Sequence, residues 1–577
     1  ISVLRQQLLS LLAELKGGIP FFSPRYTGHM AADLTMASLV GYFATMLYNP
    51  NNVAAEASPV TSRMELEVAD QLARMIGYPP EAQWGHLTSG GTVANYEGLW
   101  VARNVKYLPV ALHWAAAEAR LQLPIRLPNG ETVDVRSLDL WRLLNIGPSD
   151  ALDAADAFAA EVGDSYDASA RLSGFTLAGL GYQEFGRRLG VEFGDALPPS
   201  VVLVPSTAHY SWGKICRALG IGASNLIHIP VDRRFRMDPE ALEDQLRSLA
   251  AERRPVTACV AVVGTTEESA VDRLDLIAEV RGRAATELGM AFHLHADAAY
   301  GGYAASITRA AGGERRTYKE ARRDFAPEAW PDEGVFNALI AIEQTDSVTI
   351  DPHKLGFVPY PAGAISFRDA RAKDLVAVEA PYLFHRGASE WGYIGRYIFE
   401  GSKPGAAAAG VWMSHKVLPL DATGYGRLIG DTARGAILLH RRLSSTDWTP
   451  FRIVPLPEPD LNIVCFAIGH PALGSLEANN EFVTRVYNSM SVGYAAQTRR
   501  SPEYYVTKTI LQGAEYRSSA LPIVEALGFS EADYLRAGGI SVIRCTVMDP
   551  FLAEGRGKTD HVEGFIEAVR AVIGREV

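Results

Sequence analysis

Two hydrophobic periodicities divide the chain. Over roughly the first 80 residues, apolar positions recur at helical spacing. ISVLRQQLLSLLAELKGG reads as an amphipathic helix stopped by Gly17-Gly18. In TSRMELEVADQLARMIGY, Met64, Val68, Leu72 and Met75 share one face. Ser62 and Glu65 have the spacing of a capping box, and Pro79-Pro80 close the segment. From about 81 to 370 short Val/Ile-rich runs alternate with amphipathic stretches. VVLVP (201–205) precedes a helix near 212–220, NLIHIPV (225–231) precedes PEALEDQLRSLAAE, and TACVAVVG (257–264) precedes LDLIAEVRGRAATELG. AFHLHAD (291–297), SVTID (347–351) and GAISF (363–367) follow. Continuous apolar runs separated by helices are strands of a mostly parallel sheet covered on both faces, so the class is α/β.

The remaining patterns set the organisation. Residues 307–336 are charged and irregular and read as a surface insertion. A helical region spans about 395–445. Beyond it FRIVPLPEPDLNIVCFAIG, SVIRCTVMDP and the last helix, HVEGFIEAVRAVIG, suggest a smaller α+β unit. The expected division is a helical segment over 1–80, a large α/β domain over 81–400 and a small domain over 401–577.

Composition narrows the function classes. With 577 residues, 48% hydrophobic and 21% charged, the chain has the make-up of a soluble globular protein larger than one core. A net charge of −11 argues against nucleic-acid binding. Cys216, Cys259, Cys465 and Cys545 are scattered without a CxxC pair, so neither a disulfide framework nor a metal site is expected. The chain has no apolar run of membrane-spanning length, and its start lacks the order of a secretory signal. A cytoplasmic location is expected.

Four constellations carry chemistry. In HLTSGGTVANYEGLW the turn Ser89-Gly90-Gly91-Thr92 opens a helix, a place suited to a phosphate but common as a plain turn. In AFHLHADAAYGG, Asp297 ends a strand, where a carboxylate meets a cationic ligand or caps a helix. In DSVTIDPHKLGF, His353 and Lys354 follow a strand; alone, such a lysine is usually a solvated charge. In VPSTAHYSWGK, His209 follows a strand, where an imidazole stacks on a ring, relays a proton or is merely structural. Together they supply an anion cradle, a ring platform, a partner for a pyridinium and an amine, the set that pyridoxal 5′-phosphate (PLP) requires.

The ordered series SGGTVAN, STAHYSWGK, HLHADAAYGG and DSVTIDPHK resembles the group II PLP-dependent amino acid decarboxylases. SPRYTGHM, YNPNNVAAEASPVTSRMELEV, APYLFHRGASEWG and EGSKPGAAAAGVW are similar to the long bacterial tyrosine decarboxylase subgroup. The resemblance implies a PLP-dependent transferase of fold type I acting as a homodimer with shared active sites. Lys354 would hold the cofactor as a Schiff base, Asp297 would pair with the ring nitrogen, and His209 would stack on the ring. Ala299 would lie on the opposite face, with Thr265 or Thr266 beside the cofactor. Gly91, Thr92 and His353 would hold the phosphate with Ser402 from the partner subunit. Tyr382, on a loop, would protonate Cα after CO2 leaves.

The same resemblance places Phe21, Phe22, Tyr26, His29 and Tyr48, with Thr507, around the substrate side chain. An aromatic lining suits tyrosine, DOPA or phenylalanine. The aromatic residues equally suit packing within a dimer core. The alternatives are decarboxylation of an acidic amino acid, an aromatic aldehyde synthase, and a catalytically silent regulatory homologue.

Overall fold

The apolar runs form the strands expected of them. The computed structural model describes residues 1–163, 170–194, 199–325, 328, 330–378, 392–493, 501–553 and 559–577. In chain order the strands are β1 (Trp84–Thr88), β2 (Pro124–Arg126), β3 (Thr132–Asp134), β4 (Val201–Pro205), β5 (Leu226–Ile229), β6 (Val256–Val262) and β7 (His293–Asp297). They continue with β8 (Ser347–Ile350), β9 (Gly363–Phe367), β10 (Arg452–Pro455), β11 (Ile463–Gly469), β12 (Thr507–Gln512) and β13 (Gly539–Thr546). Seven of them make one sheet in the order β1-β9-β8-β7-β6-β4-β5. Only β9 in this sheet runs against the others.

Alternation along each strand sends side chains into two cores. Val202 and Val204 of β4, with Ala258 and Val260 of β6, pack beside Leu99 and Ala102 of the helix Gly91–Ala119. Val201, Leu203, Cys259, Ala261 and Leu294 join Leu242, Leu246, Ile277 and Val280, which come from the helices Pro239–Ala251 and Leu274–Leu288. Burial on both sides explains why these strands read as unbroken apolar runs.

The C-terminal part forms an antiparallel sheet, β10-β11-β13-β12. Val464, Phe466 and Ile468 of β11 pack on the helices Leu476–Ser489 and His561–Glu576 through Phe482, Val486, Phe565 and Val569. At the N-terminus, the helix Ser2–Leu15 buries no residue. The helix Met36–Met46 lies against Gly405–Val417 so closely that a Cβ at Gly41 would sit 2.8 Å from that of Met413. Among the described residues, no helix is long and apolar enough to cross a membrane.

Three local expectations are corrected. The third helix starts at Pro59 after Ser58, so Ser62 and Glu65 lie inside it rather than capping it. Proline at the first helical position outcompetes the later Ser signal. Glu65 is instead buried, with Asn52 Nδ2 at 2.7 Å, the Leu87 N–H at 3.0 Å and an ion pair to Lys403. The same helix closes at Gly77, in the left-handed region, two residues before the prolines. The stretch 307–336 is a surface segment only in part: residues 311–315 are exposed, but its described flanks belong to the core. Ile307, Ala321, Phe325, Trp330 and Phe336 are buried in the main core, and Trp330 Nε1 donates to the Asp460 carbonyl at 2.7 Å. Its charges flank apolar anchors too widely spaced to register as a pattern.

Candidate active site

Because β1, β4, β6, β7 and β8 run the same way, their C-terminal ends share one edge of the sheet. The turn Ser89–Gly91 follows β1, His209 follows β4, and Gly264 and Thr266 follow β6. Asp297 ends β7, and Asp351, His353 and Lys354 follow β8. All of them line one cavity of about 510 Å³, together with Ala299, Tyr210 and Tyr360. The reversed β9 brings Tyr360 to the same edge from its own N-terminal side.

The polar geometry assigns different work to each group. Lys354 Nζ lies 3.2 Å from Oδ2 of Asp351, a buried carboxylate whose Oδ1 has no partner among the described residues. His353 donates from Nδ1 to the Ala362 carbonyl at 2.6 Å, its Nε2 lies 3.6 Å from Asp351 Oδ2, and its ring lies 4.2 Å from that of Tyr360. Burial lowers the His353 pKa, which favours the neutral ring. His209 Nδ1 accepts from the Ser211 N–H at 3.3 Å, which places the ring proton on Nε2. Burial lowers its pKa too, against the opposing pull of Asp297. Asp297 is 4% exposed. Its Oδ2 accepts from Asn95 Nδ2 at 2.8 Å and Trp212 Nε1 at 3.1 Å, while Oδ1 receives only a long contact from the Ala299 N–H at 3.4 Å.

The helix Gly91–Ala119 begins at the cavity, so its first N–H groups, which lack intrahelical acceptors, open toward it. The turn before it is anchored where Glu400 accepts the Ser89 N–H at 3.0 Å.

The expected site residues divide into two groups. Gly91, Thr92, His209, Thr266, Asp297, Ala299, His353 and Lys354 come together at the cavity. Thr265 does not line it; its hydroxyl donates to the buried Glu268 at 2.9 Å and accepts from the Ala270 N–H. Ser402 is exposed, where its Oγ takes Asn51 Nδ2 at 2.9 Å. Phe22, His29 and Tyr48 are exposed and do not line the cavity. Tyr26 is buried against Phe21 and Tyr505, its pKa raised by burial to about 12. Thr507 donates to the Gly28 carbonyl at 3.0 Å. Tyr382 lies outside the described residues. Sequence reasoning missed Asn95, Trp212, Asp351, Tyr210 and Tyr360. Asn95 stands one helical turn after Gly91, and Asp351 three residues before Lys354, spacings that were available as signals.

A parallel sheet with an amine, a carboxylate and an anion cradle at its C-terminal edge defines an α/β enzyme built around an anionic ring cofactor. Comparison with known proteins fixes which one. Residues 192–313 match the pyridoxal-dependent decarboxylase conserved domain, and residues 439–577 match the tyrosine decarboxylase C-terminal model. The L-tyrosine decarboxylase of Levilactobacillus brevis is 36% identical over 555 residues, 92% of this chain and 81% of that protein. The L-tyrosine decarboxylase of Enterococcus faecium is 34% identical over 568 residues, 96% of this chain and 87% of that protein. The solved structure of Oryza sativa TDC with PLP and tryptamine shares the fold, with a TM-score of 0.63 at 17% identity. It covers 98% of this chain and 88% of that one. The chain belongs to the pyridoxal-dependent decarboxylases.

The residues present fit PLP. A Cβ at Gly91 would sit 2.7 Å from Asp351 Oδ2, so only glycine leaves the backbone free at the helix start, where a phosphate would fit. The lightly used Oδ1 of Asp297 suits a ring N–H, and among the described residues Lys354 supplies the one lysine amine lining the cavity.

Proposed function

We propose that this enzyme removes the α-carboxylate of an aromatic L-amino acid, tyrosine foremost and DOPA or phenylalanine next, releasing the amine and CO2. The observation that carries the reading is the convergence of Lys354, Asp297, His209 and the Gly91 turn, from four distant segments, on one cavity. Likeness to relatives named L-tyrosine decarboxylase over nearly the whole chain supports the choice of substrate.

When bound, PLP supplies an electron sink for the bond that breaks. Lys354 would hold the cofactor covalently through its amine. Asp297 presents Oδ1 to the ring nitrogen and favours its protonated form. His209 and Ala299 would flank the ring, and His209 keeps a proton at Nε2 in the cavity. The N–H groups of Gly91 and Thr92, with His353 and Thr266, orient the phosphate and ring. Tyr382 is assigned the delivery of a proton to Cα on the sequence resemblance alone. Aligning the carboxylate bond perpendicular to the ring is a matter of orientation, and such fixed geometry is worth several kcal/mol.

The enzyme works as a cytoplasmic homodimer in this reading. Four free, buried cysteines suit a reducing compartment. The apolar side chains of Leu4, Leu8, Leu11, Val40, Phe43 and Leu47 are exposed on the N-terminal helices, an area suited to a second copy. The substrate-pocket residues Phe22, Tyr26, His29, Tyr48 and Thr507, and Ser402 on the phosphate, then act across or beside that interface. The test offers tyrosine, DOPA, phenylalanine, tryptophan and glutamate to the holoenzyme and measures CO2 and amine. Amine from tyrosine is expected; amine from glutamate alone would overturn the assignment.

A further inference from the structure

A buried chain of hydrogen bonds runs from Asp297 into the sheet. Asn95, which donates to Asp297 Oδ2, has its own Oδ1 3.1 Å from His295 Nε2. His295 Nδ1 lies 2.7 Å from Ser347 Oγ, and the same Oγ lies 2.7 Å from His293 Nε2. No member is more than 4% exposed. Burial lowers the His295 pKa to about 3 and that of His293 to about 4, so both rings are neutral.

The direction of every hydrogen follows from the chain. An amide that donates through Nδ2 presents an acceptor at Oδ1, so His295 carries its proton on Nε2, with Thr349 Oγ1 at 3.4 Å as a second neighbour. His295 Nδ1 then accepts from the Ser347 hydroxyl, which in turn accepts from His293 Nε2–H. His293 Nδ1 is left as a bare lone pair, and that atom is buried without a partner among the described residues. Reversing the chain would set the Asn95 oxygen against the Asp297 carboxylate and leave His293 with a buried, unsatisfied N–H. An orphaned donor and an acceptor-to-acceptor contact both cost more than an idle lone pair.

We propose that His293, Ser347, His295 and Asn95 form a one-way hydrogen-bond wire that fixes the orientation of Asp297, with Oδ1 turned to the ring nitrogen of the cofactor. This rests on the assignment of Asp297 to that nitrogen. Asn95 and His295 are positioning residues, and Ser347 sets their polarity. Without its hydroxyl, His295 is free to move its proton to Nδ1, and Asn95 to turn its oxygen toward the carboxylate.

The test reconstitutes the apoprotein with PLP carrying an NMR-active ring nitrogen and reads the protonation of that nitrogen directly. The wild-type ring is expected to be protonated. Asn95→Leu raises the unprotonated fraction about tenfold, the effect of one lost hydrogen bond to a charged group. Ser347→Ala, which leaves every contact of Asp297 intact and removes only one oxygen, shifts it in the same direction. Bound cofactor with the wild-type resonance in both variants would overturn the wire. Asp297→Asn is the control for the reading beneath it: that variant should bind an unprotonated ring. If its ring stays protonated, the assignment of Asp297 itself falls, and the wire with it.

Discussion

Gly91 faces the Asp351 carboxylate so closely that a Cβ built on it would lie 2.7 Å from Oδ2 and 3.1 Å from the Ala299 Cβ. Both neighbours belong to the cavity and neither is a flexible tip, so a methyl there must displace the helix start. Gly91→Ala is expected to weaken PLP binding about tenfold or more, with a stability cost of about 1–3 kcal/mol. Titration of the apoprotein with PLP, followed by visible absorbance, measures the first effect, and urea unfolding measures the second.

The segment that carries Ser402 is tied to the body by buried charge. Lys403 pairs with Glu65 and donates to the Leu87 carbonyl at 2.7 Å, with little of either side chain exposed. Removing one partner of such a pair leaves the other unpaired in a low dielectric, at a cost of about 3–5 kcal/mol. Lys403→Met is expected to lose stability on that scale, read as a lower urea midpoint. Lys416→Met, whose pair with Glu67 is far more exposed, should change it by less than about 1 kcal/mol.

His415 provides a pH test away from the site. It is fully buried between Tyr303 and Gln71, and burial lowers its pKa to about 3. An unfolded chain takes up this proton near the ordinary value of 6.5 while the native state refuses it. The native state therefore loses stability as pH falls from about 6.5 toward 3, on the order of 1 kcal/mol per pH unit. His415→Gln lacks this titration. The stability difference between wild type and variant should therefore fall with that slope below about pH 6.5 and stay constant above it, as followed by urea unfolding at several pH values.

Much of the fold was legible because both-face burial writes strands as unbroken apolar runs, as in VVLVP and TACVAVV. The strand Trp84–Thr88 escaped because His86 and Thr88 break its apolar run; His86 is buried against Glu97, a partner no local pattern reveals. The helix at Pro59 was misplaced because Ser62 imitates a cap while its environment is set by distant residues. In the site, residues whose chemistry follows from a strand end, Asp297 and Lys354, were readable. Asn95 and Trp212 were not, since their worth lies in touching Asp297 from other elements. The expected substrate lining does not border the cavity of this single chain; Phe22 and Tyr48 are exposed, and no local pattern in the sequence says which surface covers them.

The claim on which the rest depends is that Lys354 carries the cofactor. Borohydride treatment of the PLP-loaded protein, followed by proteolysis and mass spectrometry, tests it most directly. The account predicts one pyridoxyl adduct per chain, on the peptide containing Lys354, and none in Lys354→Ala. An adduct on another lysine of the wild-type protein, or an unchanged yield in that variant, would contradict it.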